Sequence, residues 1–367
     1  MTYRIYYISE ASAPSTSAYS IHVAKMCEAF AGLNYDVGLI VPNAYKSFKV
    51  YSKYYNIRHK YNLISIFDYK LNLNFFSRLL FSFKVLNFLK KENVPFKIIS
   101  RSIVTSLLLS LNKINNTLEL HHEINGISFF FFKILKFFKF FNKINFIFIH
   151  KNLINKINLP KQTKYIVLDD AADIENFKLT NSNNKKKNTI VYIGSFFKGK
   201  GLEIINEIAK KNNNFKFHLF GDVKTIHDLT IKKNKNISFK GHVPYSKIPK
   251  VLSNYEIAIM PYREKVFVRS KRLEVSKTMS PLKMFDYLSN KMVIIASDLK
   301  VYNHILINGF NSILIKPNNF IGWEKALTKT SNQKFKNKLK KNAYQTALKY
   351  SWKNRATKIV NYSFNIN

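Results

Sequence analysis

The chain has 367 residues, and 60 Lys and Arg against 21 Asp and Glu give a formal net charge of +39. That length suits two domains at roughly 150 residues each, and 46% apolar with 22% charged residues place the chain among globular rather than disordered sequences. A single cysteine, Cys27, excludes an internal disulfide and any cysteine cluster for zinc or iron–sulfur, and points to a reducing compartment.

At the start, MTYRIYYISEAS shows no basic segment leading into an apolar one, so no secretory signal is read and a cytoplasmic location is expected. Short runs rich in Ile, Val and Tyr then alternate with segments of helical period, the pattern of βαβ units and a parallel sheet. In the first half the expected strands are 4–8, 36–41, 97–100, 117–121, 145–149 and 164–168, with helices over 18–32 and 102–113. Residues 128–142, SFFFFKILKFFKFFN, set Lys133, Lys136 and Lys139 at helical spacing among phenylalanines. Such a helix either lies in a membrane interface or is a core helix whose lysines snorkel. The whole apolar stretch 127–149 is interrupted by four lysines, whereas a spanning helix wants roughly 20 nearly charge-free residues, so no transmembrane segment is read.

The stretch 178–188, KLTNSNNKKKN, is polar and lacks apolar period, which reads as a linker. Beyond it the pattern restarts, with strands expected at 189–193, 216–220, 237–240, 256–260, 292–296 and 312–315 and helices at 202–212, 246–254, 281–290 and 323–329. Two similar halves suggest two Rossmann-like domains facing across a cleft. Ligands of open parallel sheets sit beyond the carboxyl ends of the strands, so the turns after strands are the places to look for chemistry.

Glycine is scarce, ten in the chain where about 26 would be usual, yet Gly194, Gly199, Gly201, Gly221 and Gly241 fall together. The turn Gly194-Ser195-Phe196-Phe197-Lys198-Gly199-Lys200-Gly201 follows a strand and opens a helix, presenting backbone N–H groups and a lysine to phosphate oxygens. It is neither a P-loop nor G-x-G-x-x-G, and an ordinary strand–helix turn has the same outline. A second group, Thr278-Met279-Ser280-Pro281-Leu282-Lys283-Met284-Phe285-Asp286, reads as a helix start with Ser280 as N-cap and Pro281 at the first helical position. Lys283 then sits in the first turn, where the helix dipole opposes a cation unless an anion is bound. Asp286 follows one turn on, as a hydrogen-bond acceptor for ligand hydroxyls or as the other half of a surface ion pair.

The runs VYIGSFFKGKGLEIINEIAKK, GHVPYSKIPKVLSNYEIAIMPYR and SPLKMFDYLSNKMVIIASDLKVYNHILINGFNSILI resemble the nucleotide-sugar-binding domain of GT-B glycosyltransferases of family 4. SEASAPSTSAYSIHVAKMCEAFAGLNYDVGLIVP resembles the start of their acceptor domain, and NAYQTALKYSWKNRA their closing helices. The likeness runs through nearly the whole chain and is weakest over residues 43–95. It implies an acceptor domain over 1–177, the linker 178–188, a donor domain over 189–349 and a C-terminal helix over 350–367. Lys200 takes the place of the lysine that contacts the donor diphosphate. The companion arginine is replaced by Ser195, beside Gly194, and Lys283 stands in for it. Asp286 occupies the ribose-binding end of the family's E-x7-E pattern, whose first glutamate is Thr278 here, with Glu274 off register. Gly201, Ser280, Pro281 and Leu282 complete the implied donor site.

On the acceptor side the resemblance implies His121, in Glu119-Leu120-His121-His122-Glu123, as the histidine facing the sugar, with Ser17, Arg101, His122 and Glu123 beside it. Asp169-Asp170 is assigned no metal, and no metal or other cofactor is expected because the nucleotide sugar is a substrate. The implied activity is retaining transfer of a sugar to a glycan or lipid-linked hydroxyl in cell-surface polysaccharide synthesis. The expected setting is the cytoplasm, peripheral on the inner face of an anionic membrane. Three other readings stay open. A nucleotide-sugar 2-epimerase would keep the phosphate and ribose contacts. A nucleic-acid-binding protein would explain the charge, although no helix-turn-helix, RNP or zinc-finger signature supports a nucleic-acid partner. A catalytically weakened binding protein would explain Thr278 and Ser195.

Overall fold

The computed structural model describes residues 3–11, 13–44, 47–69, 74–124, 126–137, 140–157, 159–178, 185–226, 231, 234–268 and 273–364. The chain divides into two compact units, Met1–Asp169 with Trp352–Asn367, and Asp170–Ser351. The exchange at Asp169 and Asp170 falls ahead of the expected linker, of which residues 179–184 lie outside the described set.

The first unit runs β1 (Arg4–Ile8), α1 (Ala18–Ala31), β2 (Asp36–Val41), α2 (Phe48–Tyr55), β3 (Asn62–Ser65), α3 (Phe75–Lys90), β4 (Phe96–Ser100), α4 (Ile103–Leu111), β5 (Asn116–Leu120), α5 (Ile127–Phe137), β6 (Ile144–Phe148), α6 (Asn152–Ile157) and β7 (Tyr165–Val167). Its seven strands are parallel in the order β3-β2-β1-β4-β5-β6-β7. β1 and β5 are buried almost throughout, as expected of central strands covered by helices on both faces. Helix starts are fixed by side-chain caps, with Ser17 accepting from the Ser20 amide and Ser102 from the Thr105 amide.

The second unit runs α7 (Ile174–Lys178), β8 (Thr189–Ile193), α8 (Leu202–Lys211), β9 (Lys216–Phe220), β10 (Ile237–Gly241), α9 (Ile248–Leu252), β11 (Ile257–Met260), an antiparallel pair β12 (Phe267–Val268) and β13 (Leu273–Glu274), α10 (Leu282–Ser289), β14 (Val293–Ser297), β15 (Ile313–Ile315), α11 (Phe320–Lys329) and α12 (Gln333–Lys349). Its main sheet is parallel in the order β10-β9-β8-β11-β14-β15. The core joins Tyr192, Ile205, Phe217, Ile259 and Ile295 with Trp323 of α11. After α12 the chain rejoins the first unit through α13 (Trp352–Ser363), where Trp352 lies edge-on to His22 of α1.

The expected strands all form, most within a residue of the anticipated ends. α2, β3 and α3 fill the least recognisable stretch. α3 escapes the amphipathic pattern because Phe76, Leu80 and Phe83 are exposed on the face opposite its buried Phe81, Val85 and Leu89. Its start is nonetheless marked by a capping box between Asn74 and Ser77. Of the expected helix over 128–142 the described residues hold α5 and the 3-10 turn Phe140–Lys143, and Lys139 lies outside the described residues. Among the described residues no helix is long and apolar enough to cross a membrane.

Gly201 opens α8 at φ +81°, and a Cβ there would fall 1.7 Å from the Pro261 carbonyl oxygen. Gly241 also has positive φ but open space around its Cβ position. Gly201→Ala is therefore expected to cost about 2 kcal/mol or more and Gly241→Ala about 1 kcal/mol. Urea unfolding midpoints of the two variants check that order, and equal midpoints would contradict it.

Candidate active site

In each sheet the strand order reverses between the unit's first and fourth strands in chain order, β1 and β4 or β8 and β11, and the crevice beyond their carboxyl ends is where such sheets hold ligands. In the second unit the chain leaves β8 at Gly194, whose φ of +142° and bare Cα let Lys283 lie directly against it. A Cβ at Gly194 would meet the Lys283 ammonium at 2.5 Å. The loop that follows is held in shape by donors from outside it. Tyr192 donates to the Ser195 carbonyl at 2.8 Å, and the Arg263 amide donates to the Gly199 carbonyl at 3.0 Å.

Lys200, at the end of that loop, is buried, its ammonium 4.7 Å from the centre of the Tyr262 ring. Lys283 reaches the same ring at 5.3 Å and lies 3.6 Å over the Tyr192 ring. The sequence thus placed both lysines in one site, and the structure brings them to one tyrosine. Neither forms an ion pair with a carboxylate among the described residues, and the Lys283 ammonium is buried without a hydrogen-bond partner there. Burial pushes Lys200 down to about 8. Burial and then the Lys200 charge hold Lys283 well below the ordinary lysine range, against the opposing pull of Asp286. Tyrosine faces offset part of the cost of desolvated ammonium groups, on the order of 2 kcal/mol each, and leave room for an anion.

The start of α10 differs from expectation. Pro281 is its N-cap and makes no side-chain cap, so the first helical residue is Leu282 and Lys283 is the second. The Ser280 hydroxyl, expected to cap the helix, instead accepts from the Asp170 amide at 3.0 Å. Extended backbone at Pro281 delays the helix by one residue, and no serine cap can form. Lys283 remains in the first turn, so the dipole argument holds. Tyr287 ties the helix to the sheet by accepting from the Ile193 amide at 2.9 Å. Asp286 is buried on the same helix, Thr278 is buried just before it, and Pro281 and Leu282 are half-buried. Glu274 is exposed and accepts from the Ser276 hydroxyl.

In the first unit the centre of interest is a carboxylate that the sequence reading passed over. Glu119, fully buried on β5, receives the Tyr7 hydroxyl on Oε2 at 2.6 Å. Its Oε1 accepts from Arg355 Nη2 of α13 at 2.8 Å, and His121 Nε2 lies 2.7 Å away. His22 Nε2 lies 2.8 Å from the same oxygen. Burial alone would raise the Glu119 carboxyl, but Arg355, His22 and His121 outweigh it and hold it well below the usual carboxylate range. His121 is held well below the ordinary imidazole range by burial, with Arg101 and His22 adding to the shift, so it is neutral. Arg101 lies 3.9 Å over the Tyr19 ring.

The other acceptor-side candidates have local partners. Ser17 caps α1, Glu123 pairs with Lys156 of α6, and His122 is exposed. Of the residues missed, Glu119 had a legible signal: a lone acid inside a strand that otherwise reads as core. Arg355 and His22 had none, since one sits in a polar C-terminal helix and the other in an ordinary amphipathic one.

Residues 173–346 match the family model described as glycosyl transferases group 1, which marks that stretch as a glycosyltransferase domain. No curated protein matches the chain. Among solved structures it is similar to a glycosyltransferase from Rickettsia africae at 14% identity, covering 98% of this chain and 97% of that one with a TM-score of 0.73. It is similar to a TarM variant from S. aureus in complex with fondaparinux, alpha-GlcNAc-glycerol and UDP, at 13% identity, 99% and 100% coverage and a TM-score of 0.73. HepE from Anabaena in complex with UDP and glucose is similar at 11% identity, 97% and 99% coverage and a TM-score of 0.68. At these identities the likeness is one of fold, two parallel-sheet Rossmann-like domains of the GT-B kind.

The lysine pair gives a pH dependence with a definite sign. Below about 8 Lys200 is charged in both folded and unfolded chains, and the cost of burying it is fully present. Between about 8 and its ordinary 10.5 the folded chain has lost a proton that the unfolded chain keeps, so stability rises with pH in that window. An anion reverses the balance by favouring the charged form. A diphosphate anion, with inorganic pyrophosphate as the probe, should therefore bind at the lysine pair with proton uptake and lose affinity as pH passes about 8. Calorimetry in buffers of different ionisation heat checks this, and Lys200→Met should flatten both trends. Binding without proton uptake across that range would contradict it.

Proposed function

We propose that the chain transfers a sugar from a nucleotide diphosphate sugar, with retained configuration, to a hydroxyl of a glycan or lipid-linked acceptor. The observation that carries this reading is the pair of buried lysines, Lys200 and Lys283, converging on Tyr262 with no carboxylate ion pair among the described residues. When the bond from the sugar carbon to the diphosphate oxygen breaks, negative charge grows on the departing diphosphate. Two cations fixed in a water-poor site stabilise that charge more than the ground state, an effect worth roughly 3 kcal/mol per preorganised partner. The reading assigns neutralisation to lysines rather than to a divalent cation. Asp286 accepts from ribose hydroxyls, and the Gly194-Ser195 backbone lies along the phosphates. UDP in the TarM and HepE structures supports a nucleotide donor, and fondaparinux and alpha-GlcNAc-glycerol in the TarM complex support a glycan-like acceptor.

The donor class is set by a thermal-shift panel of nucleotide diphosphates and nucleotide sugars. A ligand at about 100 times its Kd adds about 2.7 kcal/mol of stability. Lys200→Ala should lower turnover of the selected donor by roughly a hundredfold with the fold intact. Asp286→Asn should weaken binding of the free nucleotide. Unchanged turnover in a folded Lys200→Ala variant would refute the phosphate role, and accumulation of epimerised nucleotide sugar would favour the epimerase.

Placement at an anionic membrane rests on an exposed aromatic surface of the first unit. Phe76 of α3 is 78% exposed and Phe130 of α5 63%, and Phe131 stacks on Phe75 to join the two helices. Phe132 points into the core, and Lys133 lies over the Phe129 ring. Apolar side chains beside lysines suit the boundary between headgroups and acyl chains, with each lysine adding on the order of 1 kcal/mol of salt-sensitive attraction. Phe76→Ser with Phe130→Ser should release the protein from vesicles containing phosphatidylglycerol while leaving its melting temperature unchanged. Retained vesicle binding would remove the membrane from this account.

A further inference from the structure

The acceptor-side histidine has two ring nitrogens, and the structure determines what each can do. Glu119 is ionised, so its oxygens only accept hydrogen bonds. His121 Nε2, 2.7 Å from Oε1, must therefore carry the proton. The ring is neutral, which leaves Nδ1 a bare lone pair, and no described residue donates to it. We propose that Glu119, anchored by Arg355 and Tyr7, is a positioning residue that fixes His121 in the Nε2–H tautomer so that Nδ1 accepts a hydrogen bond from a sugar hydroxyl.

The anchoring comes from three separated parts of the chain. Tyr7 lies on β1, Glu119 on β5, and Arg355 on α13 also donates through Nε to the Asp169 carbonyl at 2.9 Å. Four polar groups around one buried carboxylate leave it little freedom to rotate away from His121. The ring is further held edge-on to His22, with centres 4.6 Å apart. A histidine protonated on Nδ1 would aim two acceptors, Nε2 and Oε1, at each other across 2.7 Å, which a buried site does not tolerate. Arg101 and the partly exposed edge of His121 are both at the carboxyl end of the sheet, where a hydroxyl would arrive. The identity of that hydroxyl as part of a sugar rests on the proposed function; the tautomer does not.

The test has a spectroscopic arm and a kinetic arm. Protein labelled with ¹⁵N at histidine is examined by long-range proton–nitrogen correlation near neutral pH, with His121 assigned by loss of its signals in His121→Asn. The expected result is one protonated nitrogen at Nε2 and one bare nitrogen at Nδ1. A proton on Nδ1, or signals averaged between tautomers, overturns the proposal without any need for a Glu119 variant. In Glu119→Gln the amide both donates and accepts, so the tautomers should mix. Turnover of the donor selected by the thermal-shift panel should then fall at least about tenfold while UDP affinity is unchanged. A folded Glu119→Gln variant with an unchanged tautomer and full turnover overturns the positioning role. A locked tautomer in a protein that turns over no nucleotide sugar would sink the proposed function and leave the positioning intact.

Discussion

Two ammonium groups buried against the same tyrosine, with no carboxylate ion pair between them and any described residue, are the constraint around which the second unit's crevice is built. A stable fold disposes of such charges by pairing them or by letting water reach them, because an unpaired buried charge costs several kcal/mol. Here the backbone is arranged to keep them instead. Gly194 removes the Cβ that would collide with Lys283, Gly221 removes one that would fall 2.2 Å from the Gly194 carbonyl, and Gly199 and Gly201 pass the chain under the Lys265 and Pro261 carbonyls. In a chain with so few glycines, four of them maintain one cationic crevice. Under the proposed function an anion fills the crevice and offsets that cost.

The first unit treats charge in the opposite way. Glu119 gathers Tyr7, His121, His22 and Arg355, so its negative charge is matched on the spot and the histidine beside it is neutral. Such a network is sensitive to any single loss, since the low local dielectric that strengthens each bond also penalises an orphan. It ties β1, β5, α1 and α13 into one rigid block. The chain's return from the second unit to the first through α13 thus supplies more than packing, because it brings in Arg355.

How much of this was legible depended on whether local pattern and tertiary role agreed. The strands were readable because buried parallel strands are continuous apolar runs, and their ends located Gly194, Arg101 and His121 at carboxyl edges. Lys200 and Lys283 were readable because a glycine cluster and a cation in the first turn of a helix are each locally unfavourable, and such conflicts concentrate at functional sites. The Ser280 cap was misread because Ser-Pro before an apolar run has the same composition whether serine caps the helix or bonds a distant amide. α3 was hidden by phenylalanines that face outward, against the periodicity that a core alone would produce. The Glu119 network was illegible beyond its acid, since its members stand as far apart as residues 7 and 355 and meet only through the sheet order.

The contrast between the units fits the chemistry of glycosyl transfer. Charge develops chiefly on the leaving diphosphate, so stabilisation calls for preorganised cations, which under the proposed function Lys200 and Lys283 supply. The incoming hydroxyl is a weak acid that stays neutral until bond formation is well advanced. A fixed charge facing it would gain little and would attract water or ions. A neutral imidazole with one nitrogen occupied by an internal carboxylate offers a directional hydrogen-bond acceptor instead. The formal charge of +39 blurs this in the sequence, because most of its lysines lie on solvated surfaces. Among the described residues, what separates Lys200 and Lys283 is burial of the ammonium against tyrosine rings with no carboxylate ion pair.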